Sequence, residues 1–233
     1  MKKLTLLIAI IAINFTITAQ TVVMKQNVLA DSAKSHFGPN QRNYLNGFIS
    51  FGFVLGSSEN AGSAVNYGIS NHFDIGIRYK LKLCNHYALG AEVSYNMHSY
   101  NLKQEKEKTF PDTVIHKKES YTDHAVELGI FQRINYGRRG NYMGNYIDMG
   151  AYGSYTFSAV NFTKDKLDNG NLVRTKISHL NYYEPLGYGF FARLGFNRYI
   201  IYAKYRMTDI FVKSCPYPEL PRFVAGIQIG LHK

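Results

Sequence analysis

Between Gly47 and the C-terminus, the chain repeats one pattern eight times: short segments in which apolar and polar positions alternate. The clearest copy covers residues 74–83. Its apolar positions are Ile75, Ile77, Tyr79, Leu81 and Leu83, and its other positions are Asp74, Gly76, Arg78, Lys80 and Lys82. Because successive side chains of a strand point to opposite faces, this segment predicts a strand with one apolar and one charged face.

The same reading predicts eight strands, at residues 47–55, 73–83, 87–100, 122–136, 146–160, 185–197, 199–208 and 222–231. None of the apolar registers carries a charge, whereas the opposite registers hold Glu92, Glu127, Arg133, Asp148, Arg193, Lys204 and Arg206. A soluble sheet could also place an apolar face on a core. However, a charge facing the middle of a bilayer costs about 2–4 kcal/mol, so its absence favours lipid exposure. The pattern therefore predicts an all-β fold: an antiparallel up-and-down transmembrane β-barrel of eight strands.

The predicted connections alternate in length. Those at 84–86, 137–140 and 197–198 are short, and those at 56–72, 101–121, 161–184 and 209–221 are long and polar. Short turns on one side and long loops on the other are typical of outer-membrane barrels, and an even strand count places both termini on the short-turn, periplasmic side. Within the third long connection, Asp168-Asn169-Gly170 predicts a hairpin that continues above the membrane. Pro185 is expected to mark a bulge or an edge where that hairpin meets the bilayer.

The N-terminal segment predicts export. Met1-Lys2-Lys3 and the apolar run that follows indicate a cleavable signal peptide at residues 1–19, cut after Ala19. The alternative is a membrane-anchor helix, but the apolar run is short for one. We expect residues 20–45 to be a periplasmic lead-in and residues 46–233 to form the barrel domain.

The net charge indicates the class of binding partner, and the cysteine positions argue against a disulfide. The formal charge is +11, and removal of Lys2 and Lys3 with the signal peptide leaves +9 (11 minus 2). For an exported chain this excess favours anionic lipid headgroups or surface polysaccharide over nucleic acid. Cys84 and Cys215 fall in connections at opposite ends of the predicted barrel, so no disulfide between them is expected.

The predicted lumen is narrow and charged. An eight-stranded barrel has an interior just wide enough for its own side chains. The basic residues expected there face Asp74, Glu92, Glu127 and Asp148. One interpretation is an anion-selective pore, and the other is a packed ionic network that plugs the lumen.

Candidate chemistry is sparse. His72 and Asp74 share one face of a predicted strand at the barrel rim, which is one geometry for a hydrolase. His98 and Ser99 are neighbours and point to opposite faces, so they cannot form a dyad. His116, His124 and His179 show no zinc-ligand spacing, and no glycine-rich phosphate loop precedes a helix, so no metal or cofactor is predicted. The charged run at 103–108, with Lys117 and Lys118, predicts either a solvated loop or contacts with lipopolysaccharide phosphates.

Several segments resemble a known class of proteins. They are Ala19-Gln20 at the end of the signal, Leu89-Gly90-Ala91-Glu92-Val93-Ser94-Tyr95, and the ending Pro221-Arg222-Phe223-Val224-Ala225-Gly226-Ile227-Gln228-Ile229-Gly230-Leu231. Over residues 46–233 the chain resembles the small OmpA/OmpX-like barrels and, more narrowly, the PorT-like outer-membrane proteins of Bacteroidetes. The resemblance implies an outer-membrane location and a role such as secretion component or adhesin. The chain departs from many such barrels in ending Leu231-His232-Lys233 rather than in an aromatic residue.

These observations lead to one expectation and two alternatives for function. We expect a non-enzymatic integral outer-membrane protein with a structural or assembly role, secretion included, or a surface-interaction role through the 161–184 hairpin. Its partners would be outer-membrane lipid, lipopolysaccharide and an envelope or secretion protein. The alternatives are a lipid-modifying or proteolytic hydrolase that uses His72 and Asp74, and a narrow anion pore.

Overall fold

The computed structural model describes residues 37–56, 62–137, 140, 142–167, 170–178, 180–215 and 217–231. The predicted signal peptide at 1–19, the lead-in up to residue 36, and His179 lie outside the described residues. Among the residues described, no helix has the length and apolar character needed to cross a membrane.

One sheet contains all the strands of the described chain. They are β1 (Asn43–Leu55), β2 (Asn71–Lys82), β3 (Tyr87–Leu102), β4 (Lys118–Tyr136), β5 (Asn145–Lys166), β6 (Leu172–Ser178), β7 (Leu186–Phe196), β8 (Tyr199–Arg206) and β9 (Phe223–Leu231). β1 thus begins inside the segment expected to be the lead-in.

The sheet closes on itself. Its strand order is β4-β3-β2-β1-β9-β8-β7-β5-β6, and an additional β4–β5 pairing joins the two sides into a ring of eight antiparallel strands. β6 stands outside this ring and pairs with β5 alone. Closure matters because hydrocarbon supplies no hydrogen-bond partners, so each backbone group of a membrane-spanning sheet needs a neighbouring strand. The predicted eight-stranded barrel is confirmed.

The two faces of the barrel wall separate as the alternating pattern predicts. Leu128 and Ile130 on β4 are 65% and 69% exposed, whereas Glu127 and Arg133 on the same strand are 2% and 1% exposed. In each of the eight ring strands the predicted apolar register contains no buried residue, and the charged register faces inward. A wall with its charges inside and its large apolar side chains outside suits a lipid environment.

An aromatic group marks the outer limit of the apolar wall. The Tyr95 hydroxyl lies 2.7 Å from His124 Nδ1 on the outward face, and the Phe157 ring lies 6.3 Å from the Tyr95 ring and 6.4 Å from the His124 ring. Beyond them the outward register of β4 turns polar, with Thr122, Ser120 and Lys118. Aromatic residues form girdles at both interfaces of outer-membrane barrels, so this group places the outer interface.

A bulge near this interface changes the register of β5. His124 pairs with Ser158, but the next residue, Ala125, pairs with Thr156, so Phe157 is the extra residue. Thr156 N–H donates to the Pro185 carbonyl at 2.7 Å, so Pro185 lies opposite the bulge, where the hairpin meets the barrel. Above the bulge, the odd-numbered residues of β5 face inward and the even-numbered ones outward.

Above the bulge, β5 continues into the predicted hairpin. Gly170 N–H donates to the Leu167 carbonyl at 2.8 Å, and Leu167 N–H donates to the Asn171 carbonyl at 2.9 Å. Gly170 has φ of +83°, which favours glycine over residues with a Cβ atom. The hairpin was expected to join β5 to the next wall strand. Instead its second strand, β6, ends at Ser178, and β7 begins separately at Leu186.

The lipid-facing wall yields a stability prediction. Replacement of Ile130 by Lys puts a charge in the hydrocarbon and should lower the free energy of unfolding in lipid vesicles by about 2–4 kcal/mol. Leu172→Lys is the matched control, because Leu172 is exposed to 49% on the hairpin above the apolar wall. Urea unfolding, followed by the gel shift between unheated and boiled samples, measures both. Equal effects of the two substitutions would contradict the proposed lipid boundary.

Candidate functional site

The middle of the barrel holds a network of ion pairs that crosses the lumen. Arg78 Nε on β2 donates to Glu92 Oε2 on β3 at 2.8 Å, and its guanidinium reaches Gln228 Oε1 on β9 at 2.9 Å. The other Glu92 oxygen accepts from Arg193 on β7. Arg193 also approaches Asp148 Oδ2 at 4.0 Å. Since β2 and β7 lie four places apart in the ring of eight strands, opposite each other, the bonds from Glu92 to Arg78 and Arg193 bridge the interior rather than line it.

Two further pairs extend this network along the barrel axis. Arg133 forms a double hydrogen bond with Asp148, at 2.6 and 2.7 Å, toward the side of the short turns. Lys204 Nζ lies 2.6 Å from Glu127 Oε1 and 3.5 Å from Asp74 Oδ2 toward the outer side. Each of these charged side chains is almost fully buried. A buried charge is tolerated where it has an opposite charge beside it, and each of these groups has such a partner within 4.0 Å.

Aromatic rings fill the space between the charges. The Phe131 ring lies within 6.0 Å of the guanidinium carbons of three arginines: Arg78, Arg133 and Arg193. The Tyr146 ring stacks on Arg133 at 3.6 Å. Glycine makes room for one of these rings, because a Cβ atom on Gly90 would lie 2.1 Å from the Phe131 ring. The lumen is thus packed with its own side chains, as the second sequence interpretation predicts.

The outer connections fold over the lumen and form a hydrophobic cap. Phe110 from the β3–β4 loop and Phe211 from the β8–β9 loop have ring centroids 4.5 Å apart, and Tyr217 lies 5.1 Å from Phe110. Val65 from the β1–β2 loop and Leu180 from the β6–β7 connection belong to the same buried cluster. Every outer connection of the ring thus contributes to the cap, which covers the lumen from outside.

Polar contacts tie the β8–β9 loop to the barrel below. Glu219 Oε1 accepts from Arg206 at 2.6 Å and, with Oε2, from the Ile210 N–H at 3.1 Å. The Glu219 carbonyl accepts from Ser63 Oγ at 2.9 Å, which connects this loop to the β1–β2 loop. Nearby, burial raises the pKa of the Tyr182 phenol, so it remains neutral in the cap.

The hydrolase pair suggested by the sequence is not assembled in the barrel. His72 Nδ1 lies 2.9 Å from the Tyr202 hydroxyl, and Asp74 faces Lys204, so these contacts do not join His72 to Asp74. The His72 ring instead packs at a tilt of 40° against the His98 ring, with centroids 4.5 Å apart, and His98 Nδ1 lies 3.3 Å from Asp123 Oδ1. This row of two histidines and an aspartate comes from three adjacent strands, so spacing along one strand could not reveal it.

The space beside this row is small. His98 and Asp123 line a cavity of about 30 Å³, together with Tyr100, Ser154 and Thr156. A water molecule needs about 10–15 Å³ by this measure, so the cavity has room for about two waters. A lipid or peptide substrate does not fit without movement of the cap. Ser99 points away from His98 and receives a hydrogen bond from Thr122 at 3.3 Å, as expected for neighbouring residues of a strand.

The β3–β4 loop brings three potential metal ligands together. One ligand atom each of Asp112, His116 and Glu119 lies within 4.8 Å of the others. The ammonium group of Lys108 sits among them, 2.5 Å from Glu119 and 3.2 Å from Asp112, so the chain supplies its own cation. Burial alone would raise the pKa of the Asp112 carboxyl, but hydrogen bonds from Lys108 and the Val114 N–H lower it below its usual value. His116 is also hydrogen-bonded to Asp165, with Nδ1 lying 2.8 Å from Oδ2.

The second strand of the hairpin is exposed along its whole length. All seven residues of β6 are exposed, including Val173 at 44% and Ile177 at 50%. β6 has β5 on one side and no strand on the other within the described residues. An unpaired strand edge with exposed apolar side chains is able to pair with an extended segment of another protein. The hairpin edge, not the lumen, is therefore the candidate functional site.

The ion network yields a second stability prediction. Glu92→Gln removes the carboxylate shared by Arg78 and Arg193, and the uncompensated buried charge should cost about 3–5 kcal/mol in unfolding free energy. Glu105→Gln is the matched control: its side chain is 58% exposed, it pairs with Lys103 at 3.7 Å, and it should change stability by no more than about 0.5 kcal/mol. Urea titrations in lipid vesicles compare the two variants. A Glu92→Gln barrel as stable as the wild type would show that the network does not support the fold.

Comparison with known proteins places this architecture in a family. The family model described as outer membrane protein beta-barrel domain matches residues 30–211, which is more than half of the 233-residue chain. A comparison with curated protein sequences gave no match. With the closed ring, the apolar wall and the family match together, the chain belongs to the outer membrane protein β-barrel domain family and is an outer-membrane protein.

Proposed function

We propose that this protein is a non-enzymatic surface-interaction protein, in which a sealed barrel holds the β5–β6 hairpin outside the cell. The partner is a protein of the envelope or of a secretion assembly, which pairs with the free edge of β6. We also propose that the chain groups with the small OmpA/OmpX-like and PorT-like barrels within its family. The observation that carries the functional proposal is the exposed, unpaired edge of β6, seven residues long.

The nature of this edge supports protein binding. A closed barrel has no free strand edges, and a free strand edge is able to pair with another chain. Here one edge is left open, and Leu172, Val173 and Ile177 are each exposed to 44% or more. Backbone hydrogen bonds from the edge would supply affinity, and these apolar side chains would supply contacts that select the partner.

The packed lumen argues against the pore. Cross-lumen pairs such as Glu92–Arg193 and Lys204–Glu127 use the basic side chains that an anion path would need free. An anion passing through would have to displace these pairs, with a penalty of several kcal/mol for each uncompensated charge.

The geometry around His72 argues against the hydrolase. A catalytic histidine needs a nucleophile within about 2.6–3.2 Å and room for a substrate. His72 is fully buried, its hydrogen-bond partner is a tyrosine, and the neighbouring cavity is water-sized. The His98–Asp123 pair lacks substrate access for the same reason.

The hairpin proposal predicts site-specific crosslinking. A photo-reactive residue at Ile177 should form a discrete adduct with one protein in intact cells, because an added strand would lie beside it. Ile69 provides the matched control, since it is an isoleucine of an outer loop with 54% exposure against 50% for Ile177. Equal adducts at the two positions, or none at Ile177, would rule out a docking edge on β6.

The sealed lumen predicts an electrical result. The purified wild-type protein, reconstituted in planar bilayers, should give no steady conductance steps. Steps with anion selectivity would instead support the pore, because the basic lumen residues would then be accessible to ions.

A further inference from the structure

We propose that the outward face of the sheet above the membrane binds the phosphorylated headgroup of lipopolysaccharide. We call this surface the cationic face and define it by Lys118 on β4, Lys164 and Lys166 on β5, and Arg174 and Lys176 on β6. The proposal concerns a different surface from the free edge of β6, and it stands whether or not that edge binds a protein.

Strand register brings three of these cations into one row. Lys118 pairs with Lys164 across β4 and β5, and Lys164 pairs with Arg174 across β5 and β6. Paired residues of antiparallel strands point to the same side, with Cβ atoms about 4.5–5.5 Å apart. Lys176 follows in the next row, where it is paired with Phe162, and Lys166 precedes in the row of Leu172.

The two faces of this sheet extension separate charges by sign. The outward positions of the three strands are Lys118, Ser120, Thr122, Val160, Phe162, Lys164, Lys166, Leu172, Arg174, Lys176 and Ser178, which include five cations and no acid. Two acids of the same strands, Glu119 and Asp165, occupy the opposite face, where they pair with Lys108 and His116. Within the described residues, none of the five cations forms an ion pair.

The repulsion between these like charges lowers the stability of the hairpin by itself and favours the binding of an anion. Like charges directly opposite each other on neighbouring strands are destabilising, and an exposed edge strand gains little packing in return. A phosphate group placed over the row would turn the repulsion into charge-assisted hydrogen bonds to several donors at once. The register thus concentrates donors for a ligand with closely spaced negative oxygens.

The position of the row points to a lipid-borne ligand. Lys118 lies six residues beyond His124 of the outer aromatic group on the same strand. At about 3.3 Å per residue and a tilt of about 40°, this places the row roughly 15 Å above the outer interface. The outward face is the one that meets the surrounding lipid lower down the wall, so the row faces the phosphorylated saccharide that projects from lipopolysaccharide of the outer leaflet rather than the lumen.

The lysines of the charged run at 103–108 are arranged differently. Lys103 lies 3.7 Å from Glu105, and Lys108 is buried against Glu119 and Asp112. The charges of Lys103 and Lys108 are compensated within the loop, so we assign the lipopolysaccharide contacts expected from that run to the row that includes Lys118. Clustering along the chain does not show which lysines lack an acidic partner; the contacts in the folded protein do.

Removal of the row's charges tests the proposal. The variant Lys118→Gln, Lys164→Gln, Arg174→Gln, in neutral phosphatidylcholine nanodiscs at 150 mM salt, should bind purified lipopolysaccharide at least tenfold more weakly than the wild type. The control variant Lys103→Gln, Lys106→Gln, Lys213→Gln removes three charges from outer loops outside the row and should bind within twofold of the wild type. Enzymatically dephosphorylated lipopolysaccharide should lose affinity for the wild type by a similar factor, and free tripolyphosphate should compete only weakly.

Several results would overturn the proposal. They are wild-type affinity in the row variant, an equal loss in the control variant, undiminished binding of dephosphorylated lipopolysaccharide, or tripolyphosphate that binds as tightly as the lipid. Amide hydrogen exchange over residues 160–178 checks that the hairpin is intact: loss of the like charges should leave protection equal or higher. Crosslinking at Ile177 should persist in the row variant. A loss of lipopolysaccharide binding is thereby distinguished from a loss of protein binding at the edge of β6.

Discussion

The structure depends on the need to pair every backbone polar group of the membrane-spanning strands inside the protein. Hydrocarbon offers no hydrogen bonds, so the sheet must have no free edge at the depth of the lipid. The β4–β5 pairing meets this need and closes eight strands into a ring. Above the outer interface water is available again, and among the described residues β6 stands there with β5 on one side and no strand on the other. The location of the exposed edge thus follows from where the solvent changes.

Closure of eight strands also determines what the interior can be. The ring is just wide enough for side chains to meet across it, so the inward charges must satisfy one another. Glu92 serves two arginines from opposite sides, and Phe131 fills the space between the guanidinium groups. The network and the cap above it fill the interior of the barrel with the protein's own side chains.

Above the membrane, side chains of the same strands still alternate between two faces, but the outward face meets water instead of lipid. Below the interface, the outward register is apolar because it meets lipid. Above it, the outward register carries Lys118, Lys164 and Arg174, while Glu119 on the inward side remains paired. A single bulge at Phe157 keeps the two registers aligned with their environments as β5 passes the interface. β5 thereby contributes to the wall, to the hairpin and to the cationic face.

The sequence by itself determined the fold class, the strand positions and the lipid-facing registers. Both signals are local, because side chains of a strand alternate every two residues and charges are absent from the positions that face lipid. It also located the hairpin turn near Gly170. Only the tertiary structure decided which residues meet. The separation of β6 from β7, the His72–His98–Asp123 row and the cap formed by the outer loops depend on contacts between strands and loops distant in the chain. The same holds for the row that joins Lys118, Lys164 and Arg174, because strand register across β4, β5 and β6 is set by pairing that no single segment encodes.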